Sequence, residues 1–425
     1  MSLSNELIRA YTDTLKEELI PAMGCTEPIA IAYASSIASH ALGAYPEKLR
    51  VGLSGNIIKN VKSVIVPLTG GMHGINSAIC AGIVSQSPDR KLQVLCAIND
   101  VSKIREYQNS VNMEIYELDT ENAFEIYIEA ENCGQSVQVR LAKRHTNVVS
   151  VLLNGVDITS NYHTENDQVE KESTDRSLLN VRDIVEFAKT VDLEELRPLL
   201  ESQISMNMAI ANKGMEENWG ACIGKTLYES GVKDVRTRAR AYAAAGSDAR
   251  MSGCELPVCI ISGSGNQGIC ASVPVVIYAE HLCVSRDTLL RALIISDLIT
   301  IHQKTGIGCL SAYCGAISAG CGCGCGICYL KGGDFYEIAH TLVNSIAILS
   351  GTICDGAKCS CAAKISMAVD AGIMGMDMTF SGHQFYSGEG IVTKGVENTI
   401  LNVSRLAKLG MSETDREIIK IMLGK

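Results

Sequence analysis

The sequence predicts an α+β protein: a mostly antiparallel sheet domain with helices, and a large all-helical domain containing a buried central small-residue helix. Three observations carry this. Residues 306–333, GIGCLSAYCGAISAGCGCGCGICYLKGG, hold no charge before Lys331 and are dominated by Gly, Ala, Ser and Cys. That is long enough to cross a bilayer but too small-sided to make a good lipid-facing helix. Small residues let other backbones approach closely, so the stretch reads as the centre of a helical core. Second, segments between Leu49 and Gly155 alternate apolar and polar residues and are rich in β-branched types, the pattern of half-buried strands. Third, beyond residue 178 apolar residues recur at helical spacing.

In order, residues 1–46 give two N-terminal helices expected to pack on the helical domain. The first is SNELIRAYTDTLKEEL. The second restarts after Pro21 and Gly24, with Thr26 as N-cap and Glu27 and Pro28 in the first turn. Residues 47–160 form the α+β domain. LRVGLSGNIIKN and VKSVIVPLTGG read as strands or strand–turn pieces, and GINSAICAGIVSQ as a helix. KLQVLCAI, MEIYELD, AFEIYIEAE, SVQVRLAKR and NVVSVLLNG read as strands, leaving Cys96 and Cys133 structural. Residues 161–177 are polar and aperiodic, a linker. Residues 178–425 read as helices throughout. In VRTRARAYAAAGSDARM the arginines share a face that is either a solvated edge or turned to substrate. SGSGNQG, residues 262–268, opens a helix. It is either an anion cradle for a small carboxylate or a tight connection; without a βαβ pattern it is no dinucleotide fingerprint. Asn266 and Gln267 there, with Ser54, Gly55 and Asn56 in SGN and Thr69 in LTGG, are the candidate substrate contacts.

The 425 residues suffice for two domains, and a net charge of −10 without a basic run disfavours nucleic acid and anionic membrane. The first turn lacks an apolar leader core, so a cytoplasmic protein is expected. Eighteen cysteines in such a chain read as reduced thiols, most of them inert apolar side chains and a few metal ligands. Cys25 precedes a helix N-terminus, where unpaired amides favour a thiolate; the plainer alternative is a small residue in a turn. Cys321, Cys323 and Cys325 alternate, so on a helix they point in different directions, and with their interleaved glycines they read as packing. Cys309, Cys328, Cys359 and Cys361 remain in reserve, Cys361 foremost because it is near Cys354. Widely separated cysteines argue against an electron carrier with a compact ligand run, and against the remaining class, a thiol-rich redox or metal-binding protein with paired ligands.

MGCTEP, SGNIIKN, SGSGNQG, LSAYCGA, YLKGG and GTICDGAK, in this order, resemble the iron–sulfur-dependent L-cysteine desulfidase family, related to the iron–sulfur L-serine dehydratases. The CGCGCG run departs from that pattern. The resemblance implies a [4Fe-4S] cluster with one open iron site, held by Cys25, Cys314 and Cys354. It implies L-cysteine as substrate and β-elimination to sulfide, ammonia and pyruvate without pyridoxal phosphate; L-serine dehydration is the alternative. An open iron would act as the Lewis acid that takes the substrate's sulfur. For the base, Lys304 is favoured over His302, Asp355 and Glu27. Each also has an ordinary reading as a flanking charge, a cap or a first-turn charge. A homodimer is compatible with all of this.

Overall fold

A computed structural model describes residues 3–162, 174–308 and 310–424. Most of the expected linker, and Cys309, lie outside the described residues. The six-stranded sheet has the order β3–β2–β4–β5–β6–β7, with β2 Lys48–Leu53, β3 Asn112–Glu117, β4 Glu125–Asn132, β5 Gln135–Ala142, β6 Val148–Leu153 and β7 Val156–Asp157. Only β2 and β3 run parallel; every other pair is antiparallel. Helices Thr26–Leu42 and Gly74–Ser85 pack on each other, and the first of them against β4 and β5. Their apolar residues join those of the sheet in one buried cluster. A second and larger cluster holds the helices beyond Val181 together with Tyr11, Leu15 and Leu19 of the first helix, Asn5–Glu18.

Helix Gly315–Leu330 sits in the middle of this second cluster, flanked by helices Arg286–Ile307, Cys361–Phe380, Gly265–Leu282 and Phe335–Leu349. Its glycines work in pairs spaced i, i+4. A Cβ on Gly320 would stand 2.3 Å from the Ala368 carbonyl oxygen, and one on Gly324 2.5 Å from that of Gly372. On another face, Gly322 and Gly326 lie against the Ser296 and Ala292 carbonyls. The CGCGCG run is therefore the contact surface for two helices at once, and Cys321, Cys323 and Cys325 fill the space between. Cys323→Ala is expected to cost about 1 kcal/mol, like a lost methylene, and to leave any metal content unchanged by iron analysis.

The structure corrects several expectations. The second N-terminal helix packs on the sheet, not on the helical part. Its N-cap is Cys25 rather than Thr26. SGNIIKN is a helix, Gly55–Val61, and VKSVIVPLTGG is irregular, tied by a single bridge between Ile65 and His73. KLQVLCA lies in a 3-10 segment, Pro88–Ala97, which is kinked at Lys91, φ 47°, rather than in a strand. Cys314 does not lie inside the central helix; it is that helix's N-cap. The all-helical part contains a strand, β8 Pro257–Ile260, which pairs antiparallel with β1 Ile20–Met23.

Asp297, on the Arg286–Ile307 helix, is fully buried. Its Oδ1 accepts from Gln203 Nε2 at 3.0 Å and its Oδ2 has no partner. Burial pushes this carboxyl up to about 7, against the opposing Gln203 bond. The folded state therefore holds a proton that the unfolded chain gives up near pH 4, and stability falls as pH rises through that window. Asp297→Asn is expected to remove the dependence and add up to roughly 4 kcal/mol above pH 7, checked by urea unfolding at pH 5 and pH 8.5.

Candidate active site

Two short antiparallel links bring distant segments together. The β1–β8 pair sets MGCTEP beside SGSGNQG, and Thr26 Oγ1 donates to the Gly263 carbonyl at 3.0 Å. Cys314 N–H donates to Thr352 O at 3.0 Å and Cys354 N–H to Ala312 O at 2.6 Å, which places Cys314 and Cys354 side by side. Gly356, at φ 90°, lets the chain pass directly beneath the Lys59 carbonyl, which a Cβ would meet at 2.2 Å.

The result is one cavity of about 110 Å³ lined by Cys25, Cys314, Cys354 and Cys361. The N-termini of four helices, beginning at Thr26, Gly265, Gly315 and Cys361, contribute to its wall. Their unpaired amides and dipoles favour anions there, as do Arg250 and Lys304 in its lining, whereas Lys59 and Lys364, which also line it, are paired with Asp415 and Asp355 at 2.5 Å each. Without a bound cation Cys25, Cys314 and Cys361 are held protonated. Burial pushes Cys25 up to about 11 against the pull of Arg250. Burial and the neighbouring Cys354 push Cys314 up to about 12. Cys361 is raised by burial as well, and packs with Cys25, Val64 and Met251. Among the described residues no three His, Cys, Asp or Glu side chains are grouped to hold a single metal ion. Thiols spaced round a cavity, with cationic walls, fit instead a polynuclear, anionic iron–sulfur cluster.

The other anticipated residues divide. Glu27 lines the cavity, its carboxylate fixed by Asn60 Nδ2 at 2.9 Å and Thr26 Oγ1 at 3.0 Å. Lys304, Asn266 and Gln267 line it too. Asp355 does not; its carboxylate is paired with Lys358 and Lys364 at 2.5 Å each. Burial would raise that carboxyl, but the two lysines outweigh it and bring it down to about 2. Ser54, Gly55 and Asn56 line a neighbouring cleft of about 1360 Å³, which shares Leu310 and Ser311 with the thiol cavity. Thr69 is buried away from both, closing a turn by donating to Val66 O at 2.7 Å. His302 is bound to Glu397 at 2.6 Å.

Of two further cavity residues, His145 carried no signal in the sequence, and Arg250 belongs to the arginine-bearing stretch whose face was left open between solvent and substrate. His145 follows β5 and reaches the cavity from the sheet side, stacked edge-on against Phe124, with its Nε2 sealed from solvent and unpartnered. Burial holds its imidazole below the ordinary value, against the pull of Glu27. Arg250 ends the helix Val235–Met251. Upstream arginines of that helix form the solvated edge, Arg236 and Arg240 on Asp370 and Arg238 on Glu280, whereas Arg250 is buried in the cavity wall.

The cavity of thiols and cationic groups lies at the junction of a sheet and a helical core. Residues 89–420 match the serine dehydratase alpha chain family model. The chain belongs to this family, whose name is that of a lyase. It is 51% identical to a UPF0597 protein of Desulfitobacterium hafniense, over 100% of this chain and 99% of the relative. A UPF0597 protein of Lachnoclostridium phytofermentans is 46% identical over 98% and 100% of the two chains. One from Treponema denticola is 40% identical over the whole of both. Among the described residues, no helix is long and apolar enough to cross a membrane.

Proposed function

We propose that the protein is an L-cysteine desulfidase, converting L-cysteine and water to hydrogen sulfide, ammonia and pyruvate by β-elimination without pyridoxal phosphate. The observation that carries this reading is the meeting of Cys25, Cys314 and Cys354, from three distant segments, on one cavity. These three residues would hold a [4Fe-4S] cluster, which when bound supplies Lewis acidity from an iron not tied to protein. The remaining groups supply the rest of the chemistry. A neutral imidazole with a free acceptor nitrogen is suited to take the Cα proton, and His145 presents one to the cavity; the base role expected of Lys304 moves to it. Glu27, fixed by Asn60 and Thr26, faces the imidazolium so formed and stabilises it. The 2-aminoacrylate released needs no further catalysis to become pyruvate and ammonia.

L-Serine dehydration is the second reading, favoured by the name of the matching family. The two are separated by anaerobic reconstitution with iron and sulfide, removal of excess reagent, and assay of sulfide and pyruvate from each amino acid. Sulfide release with kcat/KM for L-cysteine above that for L-serine is expected. Pyruvate from serine alone would make it a dehydratase. Turnover of cysteine by a colourless, iron-free preparation would remove the cluster from the scheme.

A further inference from the structure

We propose that Arg250 and Gln267 form an α-amino-acid reader, Arg250 taking the carboxylate and Gln267 the ammonium group of the substrate. This rests on the amino-acid reading of the cavity given above.

Arg250 is only 4% exposed, and its Nε has no hydrogen-bond partner. Its guanidinium packs against Gly265, the first residue of the Gly265–Leu282 helix. A Cβ there would stand 2.4 Å from Nε and 2.9 Å from Cζ. A buried charge is costly unless paired. Here the cation rests against the positive end of an eighteen-residue helix, so the two do not compensate each other; both call for an anion. A planar guanidinium beside backbone amides is matched to a carboxylate, which it binds through two parallel bonds.

Gln267 lies half a turn further along the same helix, 5% exposed, with Oε1 unpartnered. Its amide packs on Gly315, where a Cβ would stand 2.9 Å from Oε1, and so lies next to Cys314. An unpaired acceptor in a buried wall is the complement of an ammonium donor. The cavity thus offers a buried cationic donor packed on Gly265 and a buried neutral acceptor on Gln267 of the same helix start, the opposite polarities that a zwitterion presents. A simple thiol would satisfy neither, and leaving such groups unpaired is a strong basis for rejecting it.

The test uses the reconstituted holoprotein under anaerobic conditions and two probes. 3-Mercaptopropionate keeps the thiol and carboxylate and lacks the amine; cysteamine keeps the thiol and amine and lacks the carboxylate. Affinities come from calorimetry, with iron content measured on every sample. Arg250→Gln is expected to weaken 3-mercaptopropionate at least tenfold and to change cysteamine less than twofold. Gln267→Leu is expected to do the reverse. Equal weakening of both probes by Arg250→Gln would overturn the assignment, as would loss of iron with unchanged carboxylate affinity per loaded site; either result makes Arg250 a counter-charge for Cys25. If Arg250→Gln does not fold, Arg250→Lys keeps the charge without the planar fork. It should lose threefold or more for 3-mercaptopropionate alone, and unchanged selectivity overturns the proposal. Arg250-dependent carboxylate binding without sulfide release from L-cysteine would sink the desulfidase reading and leave this one standing.

Discussion

Cys25→Ala, Cys314→Ala and Cys354→Ala should each leave the anaerobically reconstituted protein without broad visible absorption, and with kcat lower by more than about 100-fold. That exceeds the 10–100-fold typical of losing only an outer-shell partner of a metal site, because a direct ligand goes in each case. The three side chains are equivalent in role but not in setting. Cys25 and Cys314 each cap a helix N-terminus, whereas Cys354 lies in the loop that the bridge to residues 312–314 holds in place. Cys25 and Cys314 are buried, but Ala removes only one sulfur atom from each and keeps the helix-start backbone, so far-UV circular dichroism should stay unchanged. Cys361 is the informative control. It lines the same cavity, but its Sγ lies 3.6 Å from the Gly356 carbonyl, toward which it donates. Cys361→Ala should retain the absorption; its loss there would make the ligand set four and close the iron that catalysis needs open.

How far the site could be read in advance follows from where its information lies. The three thiols were named by the resemblance of MGCTEP, LSAYCGA and GTICDGAK to a known family; local punctuation spoke only for Cys25, and left a small residue in a turn equally open. The glycines of the central helix were legible from their spacing, since alternation on a helix generates i, i+4 pairs on two faces, and the structure puts a partner helix on each. What positions Cys25 was not legible. β1 and β8 are four residues each, too short to show an alternating pattern, and they matter only through pairing across more than 230 positions. Helix Gly55–Val61 was hidden for the converse reason: IIKN is β-branched in composition, and tertiary contact overrides that preference. His145 lies beyond any local rule, and the stretch that holds Arg250 could be read only as a face turned to solvent or to substrate. His145 sits after a strand of the sheet, and only the docking of that loop near Gly263 makes it a wall of the cavity. Arg250 shares a helix with three surface arginines, and its burial depends on what packs over the last turn.

His145→Gln should keep iron content and visible absorption while kcat falls by about 10²–10⁴, the usual worth of a positioned acid–base group. The expected pH dependence is more discriminating than the rate. A base must be unprotonated to act. Burial holds the His145 imidazole below its ordinary pKa, and Glu27 pulls in the opposite direction. The acidic limb of the wild-type kcat profile should therefore fall below the usual histidine value near 6.5, with activity persisting into mildly acidic solution. Glu27→Gln removes the opposing carboxylate while leaving an amide to meet Asn60 and Thr26. Its acidic limb should move lower still, and its kcat on the plateau should drop, because the imidazolium formed in the reaction loses its counter-charge. A structural role for His145, bracing the loop against Phe124, would give a different result: His145→Gln would lower thermal stability and iron content together, and the surviving enzyme would keep the wild-type limb. Lys304 supplies the competing outcome. Were it the base, Lys304→Met would abolish turnover with His145 intact, and the profile would be set by an amine brought down toward neutrality rather than by an imidazole held below 6.5.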